Sequence, residues 1–247
     1  ELSPDFGACV ANWCAEQFLV LDRADVLEFG AGAGRLAVDV LRRLETLDRL
    51  PERYCILELS PDLRRQQAET LEREVPGLAD RVLWLDRLPE RGFRGVVLGN
   101  ELLDAMPVSR FRRDDRGDWQ ELCVTNQGDS FADRWVEPRT QGFEESVQAI
   151  WGDGDVPAPG YESEINLRLG PWLDALAARL DAAAVLLIDY GYSAHEFYHP
   201  ERSKGTLICH YRHRAYADPY RLPGLQDMTA NVDFTALAKA GVAAGFE

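Results

Sequence analysis

Val26-Leu27-Glu28-Phe29-Gly30-Ala31-Gly32-Ala33-Gly34-Arg35-Leu36 is the stretch on which the fold turns. Its first half is a strand-like apolar run, Val26, Leu27 and Phe29, that stops at Gly30. Its second half leads into Leu36 to Leu44, where apolar residues recur at helical spacing and Arg42 and Arg43 stand near the end, favourably placed for the helix dipole. The junction is therefore strand, glycine turn, helix. Three alternating glycines cost conformational entropy, and that cost is justified where backbone must turn left-handed or lie directly against a ligand.

The same alternation continues on both sides. Upstream, Phe6, Val10, Cys14 and Phe18 fall four apart within Phe6 to Leu19, one face of an amphipathic helix. Downstream, Tyr54 to Leu59 is a second apolar run, after which Ser60 caps and Pro61 opens a helix reaching about Glu74. Val82 to Leu85, Gly95 to Gly99 and Ala184 to Tyr190 read as a third, fourth and fifth strand. Near-continuously apolar strands separated by helices predict a parallel sheet covered on both faces, so the expected class is α/β, a doubly wound Rossmann-like sheet. Ligands in such folds bind at the carboxyl ends of the strands.

Between the fourth and fifth strands the pattern changes. Val108 to Arg112, Trp119 to Thr125 and Phe131 to Val136 predict a β-meander, with Asp114 to Asp118 as a polar turn. A Gly/Pro-rich loop, 152–160, precedes a helix expected over about Glu164 to Leu180, kinked or restarted at Pro171. Gly191 to Asn231 shows no clear period and reads as a long lid or binding loop, and Asp233 caps a last helix, Phe234 to Ala244, ended by Gly245. The expectation is one domain over 1–247, with core strands in 24–107 and 183–247 and an insertion, meander and helical segment, at about 108–182.

Composition narrows the function. Among 247 residues, 27 Lys and Arg stand against 42 Asp and Glu, a net charge of −15 that repels phosphate backbones and anionic lipid. Nucleic acid and membrane surfaces are therefore not expected partners. No apolar run has the roughly 18 residues of a membrane span, and Glu1 to Gly7 lacks the basic start and apolar run of a signal peptide. A soluble, cytoplasmic protein is expected. The five cysteines are scattered with no Cys-x-x-Cys pair, which reads as reduced and mostly buried thiols.

Candidate chemistry gathers at the strand ends. A dinucleotide fingerprint needs glycine at its sixth position, where counting from Gly30 gives Arg35; this weakens a nicotinamide-dependent oxidoreductase without removing it. Glu58, at the end of the second strand, is placed to accept both hydroxyls of a ribose, and Asp86 after the third strand is placed to accept from an adenine amino group. Cys209, His210 and His213 invite a metal reading, but no fourth ligand has convincing spacing, and no metal is expected. His210 or His213 closing over a substrate is the better functional guess, with Tyr190 and Tyr192 as further pocket candidates.

The chain resembles the class I S-adenosylmethionine-dependent methyltransferases of the MidA type, which include the mitochondrial complex I assembly methyltransferase that modifies an arginine. The resemblance is carried by Glu1-Leu2-Ser3-Pro4-Asp5-Phe6-Gly7, Glu28 to Gly34, Asn100-Glu101-Leu102-Leu103-Asp104-Ala105-Met106-Pro107, Ser163-Glu164-Ile165, Asp189-Tyr190-Gly191 and Asp227 to Phe234. It implies S-adenosylmethionine as cofactor, with Glu28, Gly30, Gly32 and Gly34 at its methionine part, Glu58 at the ribose, Asp86 or its neighbours at the adenine, and Leu59 and Asn100 as further cofactor-binding residues. It implies Asn100, Glu101, Asp104 and Asp189 as catalytic candidates and Glu164, Tyr190, His210 and His213 as substrate candidates. If the nucleophile is a guanidinium, whose pKa exceeds 12, carboxylates must hold and orient it. The implied acceptor is a protein, a respiratory-complex subunit by family analogy, with arginine favoured. An apolar meander face leaves a homodimer open, and a non-catalytic assembly partner is the other alternative. Relative to the family, segments before Glu1 and after Glu247 are expected to be missing.

Overall fold

The computed structural model describes residues 3–21, 24–152 and 154–247. In chain order it forms α1 (Pro4–Leu21), β1 (Asp25–Phe29), α2 (Arg35–Thr46), β2 (Tyr54–Leu57), α3 (Pro61–Glu74), β3 (Val82–Leu85) and β4 (Phe93–Asn100). There follow β5 (Ser109–Arg113), β6 (Trp119–Gln127), β7 (Ser130–Val136), α4 (Phe143–Trp151), β8 (Glu162–Ile165), α5 (Leu169–Ala177) and β9 (Leu180–Ile188). The rest comprises β10 (Gly191–Tyr192), α6 (Ala194–Phe197), β11 (Ile208–Tyr211), β12 (Arg214–Tyr216), β13 (Asp227–Thr229), β14 (Val232–Asp233) and α7 (Phe234–Ala244). The chain divides into two compact units, Glu1–Leu102 with Ala175–Asp189, and Leu103–Asp174 with Tyr190–Glu247.

The first unit is the α/β sheet that the apolar runs predict. Its five strands are all parallel in the order β3-β2-β1-β4-β9. The order reverses at β1, between β2 and β4, which is where an open α/β sheet forms its crevice. Val26, Leu27, Ile56, Val96 and Leu98 are buried, with Val10, Ala11 and Cys14 of α1 and Leu36, Val40, Leu41 and Leu44 of α2 in the core. Register aligns the strand ends: Phe29 pairs with Leu57 and Gly99, Leu57 with Leu85, and Asn100 with Ile188.

The second unit contains the meander. Its sheet runs β7-β6-β5-β8, antiparallel throughout, over an aromatic core in which Trp119 and Trp151 stack with ring centroids 5.2 Å apart and Phe111 meets both edge-on. Asp233 caps α7 by accepting from the amides of Thr235 and Ala236, and Gly245 ends it with φ 94°, as the sequence indicates.

Several expectations are corrected. The helix expected over Glu164 to Leu180 is three pieces. Glu164 lies in β8 because Arg110 to Arg112 of β5 supply a pairing edge, α5 occupies only its middle, and Leu180 already begins β9. Pro171 falls in the first turn of α5, where a missing N–H costs nothing, so it marks a start. The fourth strand extends to Phe93–Asn100, and the fifth begins at Leu180 and stops at Ile188, before Tyr190. The stretch 191–231 is not a structureless loop: it holds β10, α6 and the three-stranded sheet β12-β11-β13. Helix α4 was not anticipated.

Candidate functional site

Because every strand of the first unit points the same way, its carboxyl edge gathers Glu28 near the end of β1 and Gly30 after it, Glu58 and Leu59 after β2, Asp86 after β3, Asn100 and Glu101 at the end of β4, and Asp189 after β9. The glycine turn is left-handed at three points, with φ of 64° at Gly30, 51° at Gly32 and 80° at Gly34. A Cβ at Gly32 would meet nothing within 4 Å, so the conformation, not crowding, demands glycine there and leaves an open face beside the backbone. At Gly34 a side chain would press on α3, 3.3 Å from the Cα of Gln67. The turn delivers the chain into α2, whose first amides have no intrahelical acceptor and suit an anion.

Glu28 is buried behind this turn. Burial raises its carboxyl to about 7, and the hydroxyl of Tyr54, donating to Oε2 at 2.7 Å, pulls it back only in part.

Glu58 is held from two sides: its Oε1 accepts the Ser60 amide at 2.9 Å and its Oε2 the side-chain amide of Gln67 at 3.2 Å. Two oxygens offer about four lone-pair sites, so each keeps capacity for a hydroxyl donor. Gln67 is the positioning residue that the sequence reading missed. Fully buried, it also donates to the carbonyl of Gly32 at 2.9 Å and accepts the indole N–H of Trp84 at 2.9 Å. One side chain thereby joins the glycine turn, the β2 carboxylate and β3. The signal was present, since Gln67 stands between Leu63 and Leu71 at the four-residue spacing of the inward face of α3. Arg64 adds a second tie, donating to the carbonyls of Glu58 at 2.7 Å and Leu85 at 2.9 Å.

At the end of β4, Glu101 adopts φ 48°, an uncommon conformation for a non-glycine residue, and its amide donates to the Ile188 carbonyl at 2.8 Å, fixing the β4 exit against β9. Leu59 and Asp86 are exposed.

The other candidates belong to the second unit. Asp104 is buried, and its Oδ2 accepts the hydroxyl of Tyr190. Glu164 is buried, its Oε1 accepting the amide and hydroxyl of Thr206 at 2.6 and 2.5 Å. Burial pushes its carboxyl up, while the Thr206 bonds oppose the rise. It also lines a cavity of about 370 Å³ with Ile165, Phe197, Tyr198 and Val232. His210 and His213 are exposed on the hairpin of β11 and β12, His213 at its turn with φ 63°. Cys209 is buried beside the Gln226 amide, 3.6 Å away. Among the described residues no cluster suited to a metal ion occurs, and no helix is long and apolar enough to cross a membrane.

Known proteins share this architecture. A crystal structure from Burkholderia thailandensis, bound to S-adenosyl-homocysteine, superposes with a TM-score of 0.90 at 43% identity, covering 99% of this chain and 62% of that one. A native crystal structure from the same organism gives 0.89 at 42% identity, covering 98% and 63%. Among curated proteins, "Protein arginine methyltransferase NDUFAF7, mitochondrial" of Danio rerio is 27% identical over 97% of this chain and 60% of its own length. The Drosophila melanogaster homolog is 28% identical over 95% and 57%. The chain thus spans about three fifths of the length of these relatives. A family model described as "Putative S-adenosyl-L-methionine-dependent methyltransferase" matches residues 9–247, and the chain belongs to that family.

Proposed function

We propose that the chain is an S-adenosylmethionine-dependent methyltransferase acting on a protein side chain, with arginine the favoured acceptor. The observation that carries the cofactor reading is the pairing of a left-handed, open glycine turn with a carboxylate on the neighbouring strand that is already oriented by Ser60 and Gln67. The open backbone at Gly32, the left-handed turn at Gly30 and the first-turn amides of α2 suit the amino-acid end of the cofactor. Glu58 suits the ribose hydroxyls, and Leu59 with Asp86 the adenine side. Membership in the family and the relative that binds S-adenosyl-homocysteine support the same assignment. Neither the nicotinamide alternative nor the non-catalytic one has support in these comparisons.

When bound, the cofactor supplies a methyl group on a cationic sulfonium, so the chain's contribution is alignment and fixed electrostatics around the acceptor. A guanidinium arrives protonated; a carboxylate would orient it by accepting its N–H groups and would take up the proton that the methylated nitrogen gives up. Asn100, Glu101 and Asp189 at the sheet edge are the residues to which this reading assigns that work, with Asp104 a further candidate carboxylate of the second unit. An arginine acceptor draws its support from the names of the curated relatives and from a net charge of −15, which steers cations inward.

The test is transfer of radiolabelled methyl from S-adenosylmethionine into lysate proteins, with the labelled residue mapped by mass spectrometry. Label on arginine is expected; no labelled protein overturns the reading, and label on another side chain overturns its arginine half. In calorimetry, Glu58→Gln should weaken S-adenosyl-homocysteine binding roughly 10–150-fold, the equivalent of about 1.5–3 kcal/mol for a hydrogen bond to a charged group.

A further inference from the structure

Glu164 is 1% exposed, too deeply buried for its carboxyl to meet an incoming substrate. Its Oε1 is occupied by the amide and the hydroxyl of Thr206. Its Oε2, which accepts no hydrogen bond among the described residues, is covered by Gly205: a Cβ there would lie 2.0 Å from it, and φ 71° favours glycine independently. The strap 203–206 is fastened to β8 at a second point, where the Glu162 amide donates to the Ser203 carbonyl at 3.1 Å and Lys204 pairs with the Glu162 carboxylate at 2.9 Å.

What the Glu164 carboxyl does reach is a relay. The Thr206 hydroxyl has one proton, which goes to Oε1, and its oxygen then accepts the Asn231 amide at 2.9 Å. Asn231 is the middle of three consecutive residues whose amides are all engaged: Ala230 donates to the Asp104 carbonyl at 2.9 Å and Val232 to the Tyr190 carbonyl at 3.0 Å. Asp104 and Tyr190 are themselves joined, the Tyr190 hydroxyl donating to Oδ2 of Asp104. The segment 230–232 is thus a bracket across that pair, and its central bond is oriented by Glu164. Without Glu164 the hydroxyl is free to turn its hydrogen toward the Asn231 amide, where no bond forms. All five residues lie in the second unit.

We propose that Glu164 is a positioning residue: through Thr206 and Asn231 it holds the 230–232 segment that sets the Asp104–Tyr190 pair, and it does not itself touch the acceptor. This role rests on the methyltransferase reading, in which Asp104 and Tyr190 are acceptor-site candidates, and it replaces the substrate role that the family resemblance implies for Glu164. Positioning asks only for an accepting oxygen. A carboxylate that touched a guanidinium would need its charge. The two roles therefore part under a neutral side chain of the same shape.

The test replaces Tyr190 by fluorotyrosine and reads its fluorine resonance by NMR, with Asp104→Ala as the reference for a lost hydroxyl bond. Thr206→Val, which keeps the shape but has no hydroxyl, and Glu164→Leu should each move the resonance toward that reference. Glu164→Gln and Thr206→Ser should leave it at the wild-type position. In the chain with its natural Tyr190, initial rates of radiolabelled methyl transfer from S-adenosylmethionine into lysate proteins should follow the same order. The fall should be roughly 10–100-fold for Thr206→Val and Glu164→Leu, and less than about threefold for the two conservative variants. S-adenosyl-homocysteine affinity should be unchanged in all four. If Glu164→Leu does not fold, Thr206→Val carries the test. A wild-type resonance in folded Thr206→Val, or a displaced one in Glu164→Gln, overturns the proposal. So does loss of transfer in Glu164→Gln with Thr206→Val intact, which would put the carboxylate on the acceptor. Absence of methyl transfer by the wild-type chain would instead strike the function reading, while the fluorine spectra, which need no acceptor, decide the positioning by themselves.

Discussion

Glu28→Gln replaces a buried carboxyl by a neutral group of nearly the same shape, one whose amide oxygen still accepts the Tyr54 hydroxyl. In the folded chain Glu28 releases its proton only near pH 7, against the usual 4.5. The folded state therefore holds this proton more tightly than the unfolded state does. Stability from the group is fully present below about pH 4.5, falls as pH rises through the window to about 7, and is level above it. The full loss is about 3 kcal/mol, and between pH 5 and pH 8 the linkage integral gives roughly 2–3 kcal/mol. Every other carboxylate in this acidic chain also titrates, so the difference between wild type and variant, not either curve alone, carries the information. Because the chain has two compact units, amide hydrogen exchange of β1 and β2 is a cleaner readout than a global melt. At pH 8 the variant should protect these strands by about 2–3 kcal/mol more than wild type, and at pH 4.5 the two should agree within about 1 kcal/mol. A pH-independent difference, or a variant less protected at every pH, would refute the claim that burial holds the proton on Glu28.

Gln67→Leu fills the same volume but strips partners from the Gly32 carbonyl, the Trp84 indole and the Glu58 carboxylate. It should cost about 2–4 kcal/mol in urea titration of the first unit and weaken S-adenosyl-homocysteine binding in parallel. Asp233→Ala removes the acceptor for two first-turn amides of α7 and should lower local stability by about 1 kcal/mol, read as faster exchange confined to that helix.

What the sequence made legible were features whose cause is local. The glycine turn, the Ser60–Pro61 start of α3 and the Asp233 and Gly245 boundaries of α7 each depend on a few consecutive residues, and each stands where they indicate. The errors came where a distant partner decided the outcome. Glu164 sits in a stretch with helical composition, yet its conformation is set by pairing with Arg110 some fifty residues earlier. Strands β11 and β12 were hidden because their turn is Arg212 and His213, both at positive φ, where asparagine and glycine would have announced a hairpin. Gln67 escaped for another reason: a polar residue on an inward face reads as a blemish in the pattern until its three partners are seen.

That network bears on why Glu58 suits its proposed task. A carboxylate at the open end of a strand ordinarily turns freely, and a ligand that captured it would have to freeze those rotations. Here the Ser60 amide and the Gln67 side chain each hold one oxygen before any ligand arrives, and Gln67 is itself fixed by Gly32 and Trp84. The ordering cost is met on folding. The same side chain ties that carboxylate to the carbonyl of the glycine turn, so the two halves of the proposed cofactor site are set relative to each other by bonds within one unit. Shortening the carboxylate with Glu58→Asp, which keeps the charge but breaks the reach to Gln67, should therefore weaken S-adenosyl-homocysteine binding nearly as much as Glu58→Gln. If Glu58→Asp bound like wild type, charge alone would be sufficient, and the positioning role given to Gln67 would be wrong.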